Sequence, residues 1–421
     1  MRKNTNTVAS GFLLLVILLI GSCSRKKEAF PLHVIPLEST VGNYEILNLS
    51  DFATEIKYIP LETIDESLIS PDKIETIYEN GKILIFDIPS IGKENCYLFD
   101  NTGKFCCKIG HQGQGPDDYL HIDNVSMHDN LIFIMTWHKI LVYDTAGRLV
   151  ENINLKSDNI PEEYRVSSIR EIILLRKDVF VANVASSRDY PTAFLFETVQ
   201  SVVKTVKEYP ASVKLDRAGR GFSSSELGIM CRFKDDVRIY KPINDTIFTI
   251  GQNKEIKDAF IFEFGKYKPP LSYYEWKGLD MEQHNYVMRN CIFPIAIYES
   301  FNHLFIKFDF WNHSPEPYET SFRGLQYTAF DVNGVFDKHT GELTLMRQPI
   351  KGKLGFINDI DGGPVIWPHY ISSNNELVSF IQPDEFMDYY ENIENPSAAL
   401  KEIADKLQID DNPIVIVAKL K

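Results

Sequence analysis

Apolar residues along this chain fall in short runs of roughly four to eight, separated by Gly, Asn, Asp and Pro. That spacing predicts strands joined by tight turns. The stretch from Tyr97 to Tyr119 shows it best. Its first half is two apolar runs joined by Asp100-Asn101-Thr102-Gly103, a strong hairpin signal. Its second half is Gly-rich and holds Pro116, which cannot continue a central strand. About 44 residues later the hairpin recurs as Leu141-Val142-Tyr143-Asp144-Thr145-Ala146-Gly147-Arg148-Leu149-Val150. Asp100 then aligns with Asp144 and Gly103 with Gly147. A supersecondary unit repeating at roughly 40–50 residues marks a propeller blade.

Four strands per unit follow along the chain. The first blade is expected at 74–78, 82–87, 96–100 and 104–109, and the second at 125–128, 131–136, 140–143 and 148–153. The third takes 169–175, 179–184, 193–197 and 202–208, after an inserted turn at Pro161-Glu162-Glu163-Tyr164. The fourth takes 230–233, 237–240, 246–250 and 259–264, with a turn at Asn244-Asp245. The fifth is read at 292–299, 303–310, 325–331 and 343–347, and the sixth at 355–360, 365–366 and 377–381. Residues 273–290 and 384–407 have helical spacing; the latter is split at Asn395-Pro396, with Ser397 as cap.

Two apolar segments, 55–62 near the start and 414–419 at the end, each need a partner, or they leave open edges. Pro60 confines the first to a sheet edge. Pairing both in one blade would close a ring. The expected fold is therefore all-β: a six-bladed β-propeller of four-stranded antiparallel blades, with small helical insertions near 273–290 and 384–407.

The N-terminus changes the picture of where this domain sits. Arg2 and Lys3 precede an apolar run, Phe12 to Ile20, too short to span a bilayer. Ile20-Gly21-Ser22-Cys23 follows and resembles the lipobox of bacterial lipoproteins. The resemblance implies cleavage before Cys23 and a diacylglycerol thioether on it, enough acyl chain for stable anchoring. The alternative is an ordinary secretory signal with a chance cysteine. The expected division is 1–22 signal peptide, 23–50 lipid-anchored tether and 51–421 propeller domain. Ser24 does not resemble an inner-membrane retention signal. The expected address is the outer membrane, periplasmic or surface-facing.

A net charge of −14 falls to near −16 once residues 1–22 leave with Arg2 and Lys3. No Lys/Arg cluster follows the N-terminal region, so a nucleic acid is not an expected partner. Five cysteines remain after Cys23: Cys96, Cys106, Cys107, Cys231 and Cys291. With Asn101-Thr102 as hairpin centre, Cys96 faces Cys107, and an exported chain could bridge them. The other reading is that all five are small buried apolar groups. No C-x-x-C pair supports zinc.

Several motifs together resemble the six-bladed β-propeller lipoproteins of Bacteroidetes, relatives of NHL-type propellers. They are Ile59-Pro60-Leu61-Glu62-Thr63, Ile109-Gly110-His111-Gln112-Gly113-Gln114-Gly115-Pro116 and Asn244-Asp245-Thr246-Ile247-Phe248. Asn358-Asp359-Ile360-Asp361-Gly362-Gly363 and Asp411-Asn412-Pro413-Ile414-Val415 complete the set. Asp117 departs from the family, which often has Gly there. The resemblance implies fold and location; the family has no agreed activity.

Candidate ligand-binding residues are His111, Asp117 and Asp118 in the Gly-rich loop, Trp137 and His138 in the next loop, and Trp367. A Gly-rich loop can cradle phosphate, yet the P-loop order is absent; the glycines instead permit positive φ where one blade crosses to the next. An exposed Trp suits stacking on a sugar ring, whereas a packed one would sit between blades. Asn358 to Gly363 superficially resembles a calcium loop without the distal Glu, so Ca²⁺ has no motif behind it; Asp-stabilised turning explains it as well. Tyr273-Tyr274-Glu275-Trp276 reads as a partner face or as rim packing. No G-x-S-x-G or H-E-x-x-H occurs.

Three functions fit these residues. One is a non-catalytic binding module at the envelope for a glycan, peptide or protein. Another is a metal-dependent lyase or lactonase in the central channel, with Asp87, Asp129 and Asp359 as conceivable ligands. The third is a scaffold in an outer-membrane complex.

Overall fold

Asp100 and Asp144 show how this sequence becomes sheet. Asp100 Oδ1 accepts the amides of Thr102 at 2.8 Å and Lys104 at 3.1 Å, and Gly103 turns at φ +86°. Asp144 Oδ1 repeats this with Ala146 at 2.9 Å and Arg148 at 3.0 Å, and Gly147 turns at φ +74°. Hydrogen bonds from Thr102 and from Arg148 hold the two carboxyls below the usual range. The computed structural model describes residues 32–70, 74–87, 92–156, 158–160, 169–184, 193–209, 228–275, 280–322 and 325–421. The signal peptide, Cys23, Trp276 and the Pro161-Glu162-Glu163-Tyr164 insertion lie outside the described residues.

The chain opens with β1 (His33–Ile35), α1 (Leu37–Thr40), β2 (Tyr44–Glu45) and β3 (Ala53–Pro60). A first antiparallel meander holds β4 (Ile74–Glu79), β5 (Lys82–Asp87), β6 (Asn95–Asp100) and β7 (Phe105–Lys108). A second holds β8 (Asn124–His128), β9 (Leu131–Thr136), β10 (Lys139–Asp144) and β11 (Leu149–Asn154). A third holds β12 (Ile169–Arg176), β13 (Val179–Val184), β14 (Ala193–Val199) and β15 (Val202–Tyr209). One parallel pair, Asn154 with Val202, joins the second and third meanders into a single eight-stranded sheet. The fourth meander is β16 (Ile229–Phe233), β17 (Asp236–Tyr240), β18 (Thr246–Ile250) and β19 (Ile256–Phe262).

Two helices then intervene, α2 (Leu271–Glu275) and α3 (Met281–Arg289). The fifth meander has β20 (Phe293–Glu299) and β21 (His303–Asp309), then a separate hairpin of β22 (Tyr318–Phe322) and β23 (Leu325–Ala329), then β24 (Asp331–Asp337) and β25 (Leu343–Met346). The last sheet combines β26 (Tyr370–Ile371) and β27 (Glu376–Ile381) with β28 (Ile414–Leu420), which follows helices α4 (Pro383–Glu391) and α5 (Ala398–Ala404). Its outer strand is β3, so the two ends of the domain meet in one ladder from Ile414↔Pro60 to Leu420↔Ala53.

The arrangement is propeller-like. First strands touch in sequence: β4 with β8, β8 with β12, β12 with β16, β16 with β20, β20 with β26, and β26 with β4. Strands near this ring are apolar on both faces because each face meets a different neighbour. Ile132 and Ile134 pack with Leu84 and Leu98 of the first meander, while Phe133 and Met135 pack with Phe180 of the third. Ile83 and Ile85 pack on Val415 and Val417 of the closing sheet. Burying each such side chain contributes roughly 1.5–3 kcal/mol.

Four expectations are corrected. The compact unit begins at Leu32, not at 51. β1 pairs in parallel with β19, β2 with β25, and Asn48 bridges Ile357, so residues 33–48 run along outer sheet edges instead of forming a tether. Residues 325–331 are not the third strand of the fifth unit, because the strand breaks at Phe330 and β24 pairs with β21 in that place. The apolar stretch at 355–366 forms only the bridge Phe356↔Ile366, and β26 is the first strand of the last sheet. Cys96 and Cys107 do not bridge; every described cysteine is a free thiol. The hairpin loop closes Asp100 on Lys104, and a bulge between Leu98 and Phe99 shifts the register again. Cys107 therefore faces Leu98, and the Cys96 carbonyl meets Ile109.

Candidate functional site

The loop between the first and second meanders is built from its own polar groups. Gly110 turns at φ +60°, where a Cβ would lie 2.5 Å from the Tyr143 hydroxyl oxygen. Asp118 folds over Gly113 and Gly115: its Oδ2 accepts the Gly115 amide at 2.9 Å, and a Cβ on Gly113 would sit 2.2 Å from it. Only Gly110 of these three needs a left-handed backbone; the other two need closeness. The Gly113 amide donates to Tyr119 O at 3.0 Å. Two amides that a phosphate cradle would use are thus already committed. Asp118 Oδ1 also meets His111 Nε2 at 2.6 Å, with the imidazole exposed. Asp117 is not left-handed, so an ordinary residue serves where the resembling family has Gly.

The next turn docks onto this loop. Lys139 Nζ donates to Pro116 O at 2.6 Å, and Asn152 Nδ2 to the same oxygen at 2.9 Å. Trp137 is 54% exposed and has φ +43°. A bulky residue with that backbone is strained and needs holding. Asp123 Oδ2 does this by accepting the Trp137 amide. His138 lies beside it at 5.9 Å between ring centroids. Burial, Lys156 and Lys139 lower its pKa, so the ring favours its neutral form. Lys139, next to His138, thus ties the Trp137 turn to the loop that carries His111, Asp117 and Asp118.

Asp123 also lines a cavity of about 350 Å³ on the ring axis, walled by the first strands of the meanders. The Trp137 amide is thus held by a residue of its wall. Glu75, Glu171, Cys231, Tyr298 and His369 line the same cavity. Burial pushes Glu171 up to about 7, despite hydrogen bonds from the Met230 amide and Asn183; Glu75 adds to the rise. Lys241 is brought down to about 7 by burial and donates to Asn183 Oδ1 and Val184 O. His369 has surface open to the lumen but protein all around it, which lowers its pKa to about 4; its Nδ1 meets Ser379 Oγ at 3.2 Å. Tyr370, Arg232 and His128 line the cavity too. Tyr370 donates to Glu79 Oε1 at 2.7 Å, and Arg232 meets His128 Nε2 at 3.3 Å.

Trp367 joins neither the loop nor the cavity wall. It is buried, stacked on Phe356 at 5.4 Å and packed edge-on against Phe305. The apolar residues around it, Leu49 and Ile381 among them, claim its ring for the core. Asp87, Asp129 and Asp359 do not converge. Asp87 accepts the amides of Ser70 and Asn95, Asp359 holds Ser50, and Asp129 meets its neighbour His128. In the 358–363 turn, Asp361 Oδ1 accepts from Tyr58, Asn358 and the Gly363 amide, which is the turn reading. Tyr273 and Tyr274 are buried, the latter bonded to Pro242 O at 2.7 Å, which is the packing reading.

Sequence reasoning missed the axial residues. Their signal is a polar side chain at the second or third position of a meander's first strand: Glu75 in β4, Glu171 in β12, Cys231 in β16.

Residues 32–419 match the family described as Domain of unknown function (DUF4934). One similar solved structure is that of a candidate exported protein from Bacteroides fragilis. It is 18% identical, and the match covers 92% of this chain and 99% of that one at TM-score 0.60. Another is a member of the DUF4221 family from Bacteroides vulgatus, 14% identical, covering 88% and 97% at TM-score 0.49. The first likeness shows a shared fold. Comparison with curated proteins gives no match. No helix among the described residues is long and apolar enough to cross a membrane.

Proposed function

We propose, for a chain that belongs to the DUF4934 family, a non-catalytic binding module of the cell envelope that holds a glycan at the loop cluster around Trp137. The observation that carries this is Trp137 itself, exposed and held in a left-handed turn by Asp123. Trp137 sits in the two-residue turn between Thr136 and Lys139, and its exposed ring presents an aromatic face for stacking on a sugar ring. His111 and Asp117, in the loop that Lys139 ties to the same turn, can bond hydroxyl groups. We read the scaffold as a six-bladed propeller, supported by the four-strand meanders and the closed cycle of first-strand contacts. The Cys23 lipobox and the description of the Bacteroides fragilis relative support export and an outer-membrane anchor.

Calorimetry of the soluble domain, residues 24–421, against a panel of host and plant glycans tests the reading. Saturable binding to at least one glycan, lost in Trp137→Ala, is expected. Silence across the panel, or binding that Trp137→Ala leaves intact, would remove it. A diacylglyceryl thioether on Cys23, sought by mass spectrometry of membrane-extracted protein, tests the anchor separately.

A further inference from the structure

We propose that the axial cavity binds a small uncharged polyol, the size of one monosaccharide, between the Thr76 hydroxyl and the His369 imidazole. The charges around the cavity are balanced within the protein. Glu299 is held by Arg238 and Lys338, each at 2.7 Å. Lys241 supplies countercharge to Glu171. The Arg232 guanidinium is spent on the carbonyl oxygens of Leu174, Leu175 and Lys234. Glu75 is likewise engaged. An ionic ligand would shed its hydration to bring a charge that no group there needs. An uncharged one keeps the balance.

Two polar groups of the wall still have bonding capacity. Thr76 lines the cavity, is 3% exposed, and its hydroxyl has no hydrogen-bond partner among the described residues. A buried hydroxyl left unpaired is costly, so a ligand that bonds it recovers what the fold forgoes. His369 lines the same lumen, with its Nδ1 at 3.2 Å from Ser379 Oγ and its ring against Phe380. That leaves Nε2 for a ligand. Burial keeps this imidazole uncharged. A hydroxyl and a neutral imidazole each donate or accept, which is what ligand hydroxyl groups require. Phe86, Met127 and Ile173 supply apolar wall for the C–H faces of a ring or chain. The space of about 350 Å³ is at the small end of ligand pockets, which suits one sugar ring or a short polyol and excludes an oligosaccharide.

Calorimetry with glucose, galactose, arabinitol and glycerol, against glucosamine and gluconate as cationic and anionic controls, tests this. Saturable binding of at least one uncharged probe, and of neither charged control, is expected. Thr76→Val keeps the shape and removes the orphaned hydroxyl. It should raise the thermal midpoint while weakening binding about threefold to tenfold, a split that a merely structural role would not produce. His369→Phe keeps the packing on Phe380 and should weaken binding by a similar factor, with a thermal melt confirming that it folds. Trp137→Ala should leave the affinity unchanged, which separates this site from the glycan reading. No saturable binding of any uncharged probe, equal or tighter binding of a charged control, loss of binding in Trp137→Ala, or undiminished affinity in both wall variants would overturn it.

Discussion

Between β3 and β28 seven residue pairs form an antiparallel ladder, and every side chain of β28 except Lys419 is buried. Between Ile109 and Asn124 no ladder forms, and Asp118, Lys139, Asn152 and Tyr143 supply the bonds. The two regions face opposite demands. The ladder joins segments more than 350 residues apart, so a large loop-closure entropy must be offset by apolar burial. The crossing loop spans neighbours and needs shape more than energy. Its polar contacts hold an exposed Trp and a His–Asp pair. Stability sits in the closing sheet, and the proposed recognition in the loop.

The largest expected effect breaks the first half of that comparison. Ile416 is 1% exposed in the closing ladder, among Leu377, Phe386 and Leu400. Ile416→Asp places an unpaired carboxylate there and should cost roughly 4 kcal/mol or more in urea unfolding. Gly110→Ala comes next. Its φ of +60° and the nearby Tyr143 hydroxyl predict a loss of roughly 1–3 kcal/mol, together with a misplaced loop. Trp137→Gly should move the other way, raising stability by about 1 kcal/mol by releasing the strained backbone, while abolishing glycan binding. A stabilising change that destroys recognition would be the sharpest sign that the two regions divide the work.

A smaller effect separates the ladder from the cavity. Glu171 has a folded pKa of about 7 against an ordinary 4.5. Its burial is free of penalty below 4.5, and stability is lost as pH rises through 7. Lys241, lowered to about 7 from 10.5, acts in reverse, and stability is lost as pH falls through that range. Thermal midpoints should therefore decline from pH 4.5 toward 7, and Glu171→Gln should flatten that limb.

Much of this was legible in the chain. The Asp100 and Asp144 turns give their register through hydrogen bonds that stay within a few residues, and local chemistry is what a sequence displays. The partnering of the two end segments followed from their apolar edges. What stayed hidden depended on distant neighbours. Residues 33–48 pair along outer edges through strands of only 3 and 2 residues, too short for a pattern to announce. The β22–β23 hairpin borrowed an apolar run that pattern alone assigned to the ring. Trp137 and Trp367 look alike in sequence, yet one is exposed and the other stacks in the core, because only packing distinguishes them. Glu171 acquires meaning only when strands from other meanders close around it.

One cross-link tests the closing ladder most directly. Glu55 and Lys419 are paired across β3 and β28, and both side chains are exposed. In a Glu55→Cys/Lys419→Cys variant with the native cysteines replaced by Ser or Ala, mild oxidation should form an intramolecular disulfide in the folded protein. It should speed migration on a denaturing gel and raise the thermal midpoint. Failure to cross-link while the domain remains folded would mean that the ends are not stitched into one sheet, and the account of a closed ring around an axial site would be wrong.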